Sequence, residues 1–347
     1  MPQLITGIQQ VGIGVADVDE AWSWYRNTFN MNVPVFDDEA DATLMKQYTG
    51  NEVHSRRAVL ALNMMGGGGF EIWQFKNRTP APAEHTPRFG DLGINAVKIK
   101  SVNPAITHRT LKRDADDTVS NLFYHPAIGH TFWVRDPYGN TFQVVEDNSW
   151  FKKGSETTGG VCGITIGVSD IDKSSTLYTD VLGFSSAIYD ESGSFEDLPA
   201  GSNYRRTCFV KPQRDDGAFS RLLGGIQVEL IQDLTNEPRN IYRNRYWGDL
   251  GFIHVCFDVN DMDRLKTKCE ESGRPFIIDS ANTFDMGEAA GRFSYIEDRD
   301  GTLIEFVQTH KMPVMKRWGW YLNLKNRKRT TPLPNWILRL MSLNRVT

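Results

Sequence analysis

Two stretches of this 347-residue chain carry the same words in the same order. Arg88-Phe-Gly-Asp-Leu-Gly93 returns as Tyr246-Trp-Gly-Asp-Leu-Gly251. Asp136-Pro-Tyr-Gly-Asn140 returns as Asp298-Arg-Asp-Gly-Thr302, and Ile13-Gly-Val-Ala-Asp-Val-Asp19 as Ile166-Gly-Val-Ser-Asp-Ile-Asp172. The shifts are 158, 162 and 153 residues. Three matches in one order divide the chain into two similar halves, 1–150 and 155–310, followed by a tail, 311–347, that lies outside the repeat.

Each half divides again. Val11–Val15 alternates like a strand, Asp17 with Glu20 three residues on reads as a capped helix start, and Trp22, Trp24, Tyr25 and Phe29 suit a short buried helix. Apolar strand-like runs follow at Ala58–Leu62 and Phe70–Phe75. The same order begins again at Gly163 and at His254, with Asp261 as the cap of the last helix. The copy from Ala96 is the weakest: Asn103 replaces the capping Asp, and Pro104 sits where a first helical turn tolerates it. The expectation is an α+β chain of four βαβββ modules. The Asp-x-x-Gly turns at Asp136–Gly139 and Asp298–Gly301 open the closing strands of the second and fourth.

The formal charge of −4 hides an asymmetry. After Glu305 there is no acidic residue and there are nine Lys and Arg, which leaves −13 on the rest of the chain. A body that acidic excludes nucleic acid as its partner. The tail, with Trp318, Trp320, Tyr321 and Trp336 among its cations, suits a peripheral contact with a membrane surface; alternatively it wraps the acidic body and covers a cup mouth or a dimer seam. No apolar run is long enough for a spanning helix, and no charge precedes the apolar start as in a secretory signal. Cys162, Cys208, Cys256 and Cys269 lack CxxC spacing and read as reduced thiols, which points to a cytoplasmic setting.

These features resemble the vicinal oxygen chelate superfamily, which includes glyoxalase I, methylmalonyl-CoA epimerase and the extradiol dioxygenases. Ser175-Thr-Leu-Tyr-Thr-Asp-Val-Leu-Gly-Phe184 looks like the first helix of such modules, and Asp298-Arg-Asp-Gly-Thr-Leu-Ile-Glu-Phe306 like their closing turn and strand. The resemblance covers residues 5–310, about 88% of the chain. It implies two cup-shaped mixed-sheet domains, each built from a pair of modules around a divalent metal. It also implies two ligand positions per module. Those on the first strands are Gln10, Ala96, Gly163 and His254; those on the last strands are Glu71, Gln143, Glu229 and Glu305.

Ala96 and Gly163 carry no donor atom, so only the first and fourth modules keep both ligands. If those two pair, the metal ligands are Gln10, Glu71, His254 and Glu305, the set of animal glyoxalase I, and the other cup holds Ala96, Gln143, Gly163 and Glu229. If neighbours pair, the set is Glu229, His254 and Glu305. Oxygen donors with one imidazole suit Zn, Ni, Co, Mn or Fe(II). The implied function is a metal-dependent isomerase, epimerase or lyase that stabilises an enolate of a small substrate with two adjacent oxygens. Glu71 or Glu305 would be the catalytic base.

The alternatives are an extradiol-type dioxygenase, disfavoured because Gln10 or Gly163 stands where a second His belongs, and a metal-free protein that sequesters a small ligand. The two arginines that grip glutathione in glyoxalase I correspond to Gly14 and Leu250, so a different substrate is expected. His125 and His130 are candidates for a cup rim, and Arg205, Arg206, Arg243 and Arg245 for an acidic substrate group.

Overall fold

In a computed structural model of the chain, each module starts with a strand, turns into a capped helix and returns as a meander of strands. Residues 3–346 are described, except 115, 153, 155, 185, 282, 283 and 286–289; the outer bounds 1 and 347 and the repeat boundary 155 thus lie outside the described residues. The first module is β1 (Ile5–Gly14), α1 (Val18–Phe29), β2 (Val33–Asp41), β3 (Ser55–Leu62) and β4 (Gly69–Phe75). The second is β5 (Gly93–Ser101), α2 (Pro104–Asp114), β6 (Phe123–His125), β7 (Gly129–Arg135) and β8 (Thr141–Glu146). The third is β9 (Thr158–Gly167), α3 (Ile171–Thr176), β10 (Ser186–Gly193), β11 (Tyr204–Lys211), the short α4 (Ser220–Leu223) and β12 (Ile226–Asp233). The fourth is β13 (Gly251–Val259), α5 (Met262–Glu271), β14 (Ile278–Asp279), β15 (Phe284–Asp285), β16 (Ala290–Glu297) and β17 (Leu303–Met315).

The helix starts are where the carboxylates put them. Asp17 accepts from the backbone N–H groups of Asp19 and Glu20, Asp170 from Lys173, and Asp261 from Arg264. Asn103 serves the weakest copy in the same way, accepting from the Ile106 N–H at 3.1 Å. Each bond satisfies a donor that the first helical turn leaves open.

The modules pair outer with outer and inner with inner. One sheet runs β14-β16-β17-β13-β1-β4-β3-β2, with β15 and β18 (Trp320–Asn323) added to β16 and β17. The other runs β10-β11-β12-β9-β5-β8-β7-β6. Each module contributes its first and last strands as a parallel pair, and two modules meet through antiparallel first strands, β1 on β13 and β5 on β9. The halves 1–150 and 155–310 are therefore units of repetition, while each sheet takes one module from each half.

Connection lengths account for this pairing. Eleven residues link β8 to β9, against seventeen from β4 to β5 and from β12 to β13. The short link makes the second and third modules neighbours, and the first and fourth are left to close on each other.

The two long links are locked by the repeated Gly-Asp-Leu-Gly words. Asp91 is buried and accepts from the Arg239 guanidinium at 2.7 Å; Asp249 is buried and accepts from Arg78 at 2.6 Å and from the Ala81 N–H at 2.8 Å. Each link thus carries the anion that holds the other. The core lies between the sheets, where α1 brings Tyr25 and Phe29 onto Phe70 and Phe142, with centroids 4.9 Å apart for Tyr25 and Phe70 and 5.1 Å for Phe29 and Phe142.

The tail folds onto the outer-module sheet. β17 continues beyond the repeat to Met315, and α6 (Asn335–Leu340) follows β18. Leu333, Leu338 and Met341 pack with Val33, Leu62, Leu222 and Leu223, while Trp318, Trp336 and Leu343 stay exposed. No helix among the described residues is long and apolar enough to cross a membrane. All four cysteines are buried and free.

Candidate metal centre

Strand register alone brings four polar side chains to one patch. Gly12 on β1 lies between His254 on β13 and Glu71 on β4. Two residues away, Cys256 lies between Gln10 on β1 and Glu305 on β17. Residues two apart on a strand face the same side, so His254 and Gln10 join their neighbours' carboxylates on one face. Gly12 leaves the room: a Cβ there would meet the imidazole Cε1 at 2.5 Å.

The result is a tight cluster. Ligand atoms of Glu71, His254 and Glu305 all lie within 4.8 Å of one another. His254 Nε2 is 3.0 Å from Glu305 Oε2 and 3.4 Å from Glu71 Oε2. Gln10 Nε2 reaches Glu71 at 3.3 Å and Glu305 at 3.5 Å, and its Oε1 is buried with no hydrogen-bond partner. Neither nitrogen of His254 makes a hydrogen bond of good geometry, although the ring is fully buried. Burial alone would lower the imidazole pKa, but Glu305 and then Glu71 outweigh it and raise it to about 9. Two carboxylates converging on a buried imidazole call for a cation. One nitrogen and three oxygens, one of them an unpartnered amide oxygen, fit a divalent ion.

The surroundings hold the imidazole still. Trp247 lies parallel to it at 6.1 Å between centroids, and Tyr295 stands edge-on at 5.5 Å. Burial, then Glu305, keeps the Tyr295 phenol far above its ordinary pKa, so it stays neutral. A cavity of about 680 Å³ opens on the cluster and is lined by Gln10, Glu71, Glu305, Trp247 and Tyr295.

The second sheet has the same two rows with different chemistry. Thr165 lies between Ala96 and Glu229, and Lys98 between Gln143 and Gly163. Lys98 thus stands where Cys256 stands in the first sheet. Its Nζ donates to Gln143 Oε1 at 2.6 Å and to Glu229 Oε2 at 2.7 Å. Arg206 Nε donates to the other Glu229 oxygen at 2.6 Å. Burial opposes ionisation of Glu229, yet Arg206 and then Lys98 hold its pKa far below the carboxylate range. An ammonium group occupies this cup, and Glu229 is on the other sheet from His254 and Glu305, so the grouping of those three is not assembled.

Other candidates are engaged elsewhere. Arg206 is buried and bound to Glu229 and Asp197, so it is no substrate grip. Arg205 pairs with Asp172 and Asp190, and Arg245 donates to the main-chain carbonyls of Ile241, Asp249 and Leu250. Arg243 is exposed. His125 sits beside Glu191 at 3.3 Å, and His130 packs on Tyr124. A side chain at Gly14 would strike the Asp249 carbonyl at 2.0 Å, which leaves no room for an arginine there.

Sequence reading missed Lys98, Trp247 and Tyr295. Lys98 left a trace: it sits directly between the apolar Val97 and Ile99.

A family model described as the Glyoxalase/Bleomycin resistance protein/Dioxygenase superfamily matches residues 163–293. No protein of curated function matches the chain in sequence. A Bacillus subtilis protein of proposed dioxygenase activity is 14% identical, with 88% of this chain and 86% of that chain covered and a TM-score of 0.55. Glyoxalase I from Zea mays is 13% identical, with 87% and 92% covered and a TM-score of 0.51. Identities this low speak to the fold.

Proposed function

We propose that the chain is a metal-dependent enzyme of the glyoxalase/bleomycin resistance/dioxygenase superfamily, whose family model matches residues 163–293, and that it is of the isomerase, epimerase or lyase kind, acting on an organic substrate with two adjacent oxygens. The observation that carries this reading is the convergence of Glu71, His254 and Glu305 within 4.8 Å, with Gln10 against both carboxylates. Gln10 Oε1, Glu71, His254 and Glu305 would hold the ion. When bound, a divalent ion supplies Lewis acidity to a substrate carbonyl.

The chain's own residues do the rest. Glu71 is the least buried of the four and lines the cavity. It is the best-placed general base for the C–H next to that carbonyl, with Glu305 on the opposite side of Gln10 as the second. Trp247 and Tyr295 cover the imidazole and keep water from it. A single imidazole among oxygen donors favours this proton-transfer chemistry over extradiol oxygenation.

The test is metal titration followed by isotope exchange. Stripped protein should take up about one Zn²⁺ or Mn²⁺ per chain by calorimetry, and His254→Ala should lose that binding. The loaded protein should wash deuterium from solvent into the position next to the carbonyl of α-hydroxy ketones, and Glu71→Gln should stop the exchange. A wild-type protein that takes up no divalent ion would sink the reading.

A further inference from the structure

We propose that the substrate is lipophilic: two adjacent oxygens at one end and an apolar arm, an alkyl chain or a fused aromatic body, at the other. This rests on the metal-centre reading above. The cavity is the size of pockets that hold drug-sized ligands, far larger than a two-oxygen head group needs. Gln10, Glu71 and Glu305 supply its chemistry, and exposed Ala40, Asp41, Thr43 and Leu44 mark its mouth.

The remaining wall is built largely of Leu60, Leu62, Phe219, Leu223, Met312 and Met341. Charged groups on the wall are engaged: Arg56 donates to Asp38 at 3.1 Å and to its carbonyl at 2.7 Å, and Lys311 lies over the Tyr321 ring at 4.8 Å. Gln9 donates to Thr309 at 3.2 Å.

The origin of this wall is informative. Leu223 belongs to α4 and Met341 follows α6; neither element is part of the βαβββ unit. Both segments leave their own place in the chain and lean over the outer-module cup. Leu223 is pressed onto β1 so closely that a Cβ on Gly7 would meet its own Cβ at 2.3 Å. Met312 and Met341 are unbranched and polarisable, which suits an arm of irregular shape. The tail is thus a specificity element: its inner face completes the apolar end of the cavity.

Alkyl catechols supply the probe, because they join two adjacent oxygens to an arm of chosen length. Zn²⁺-loaded protein is titrated with catechol and with 4-alkyl catechols from methyl to octyl, without oxygen, by calorimetry. Affinity should rise about fourfold per methylene until the cavity is filled. Met341→Trp should end that rise at a shorter chain. The wild-type length series needs no variant, so it decides the matter even if Met341→Trp does not fold. Wild-type protein that takes up no Zn²⁺ removes the metal-centre reading, whereas Zn²⁺-loaded protein that binds no catechol of any length overturns the proposed substrate. Protein that binds catechol with no dependence on alkyl length overturns the lipophilic arm alone.

Discussion

Glu229→Gln should be one of the most destabilising isosteric changes in this chain, and the inner-module cup shows why. The Glu229 carboxylate accepts from Lys98, Arg206 and Thr165 at 2.7, 2.6 and 3.0 Å. Glu229 and Lys98 are completely buried, and Arg206 is 1% exposed. The amide removes the charge that two buried cations face. Removing one partner of a buried pair costs about 3–5 kcal/mol. Arg206 keeps Asp197 at 2.9 Å, so the expected loss is about 4 kcal/mol and not twice that.

Lys98→Met is the control: Glu229 retains Arg206 and Thr165, and the loss should be about 1–3 kcal/mol. In the double variant the two losses should fall short of their sum by about 2 kcal/mol, because Lys98 is no longer present to be stranded. The pH dependence has a definite sign. The folded pKa of Glu229 lies far below its unfolded value, so its contribution is fully present above the ordinary carboxylate range and is lost only as pH falls through the depressed value. The deficit of Glu229→Gln should therefore be the same at pH 6 and pH 8. Urea unfolding followed by circular dichroism measures all of this. A Glu229→Gln protein within about 1 kcal/mol of wild type would show that these contacts do not act as a desolvated charge cluster.

Three further outcomes are expected. Gly12→Ala should leave the secondary structure intact by circular dichroism yet lower Zn²⁺ affinity roughly 10- to 100-fold in a calorimetric titration, because the new methyl displaces the imidazole. Asp258 is raised to about 6 by burial against a smaller opposing effect of its Thr6 hydrogen bond, so the folded state binds its proton more readily than the unfolded one. Its contribution should fall as pH rises from about 4 to about 6, by up to about 3 kcal/mol, and Asp258→Asn should flatten that part of the stability profile. Asp249→Asn should cost about 2–4 kcal/mol in chemical unfolding, since it weakens the anchor of Arg78, the Ala81 N–H and the Tyr246 N–H together.

Much of the fold could be read locally. The capping residues, the closing turns and the two-residue strand periodicity are short-range signals that marked out the modules, whereas Gln10, Glu71, His254 and Glu305 came from the resemblance to the vicinal oxygen chelate superfamily, and their common face from the strand register. The word pairs at Asp91 and Asp249 were legible as repetition but not as cross-locks, because each carboxylate bonds a partner some 150–170 residues away. Arg206 was a candidate for an acidic substrate group in the sequence; its enclosure by Glu229 and Asp197 shows that it is engaged inside the fold.

By itself the sequence determined four modules and an acidic body with a basic aromatic tail, and the family resemblance pointed to donor pairs in the first and fourth modules. Only the tertiary structure decided that β1 closes on β13, that an ammonium takes the cation's place in the other cup, and that α4 and the tail extend the apolar wall. The physical reason is distance along the chain. Caps and strand faces are set by neighbours a few residues away, whereas the choice of sheet edge and the filling of a cavity depend on link lengths and close packing between residues hundreds of positions apart.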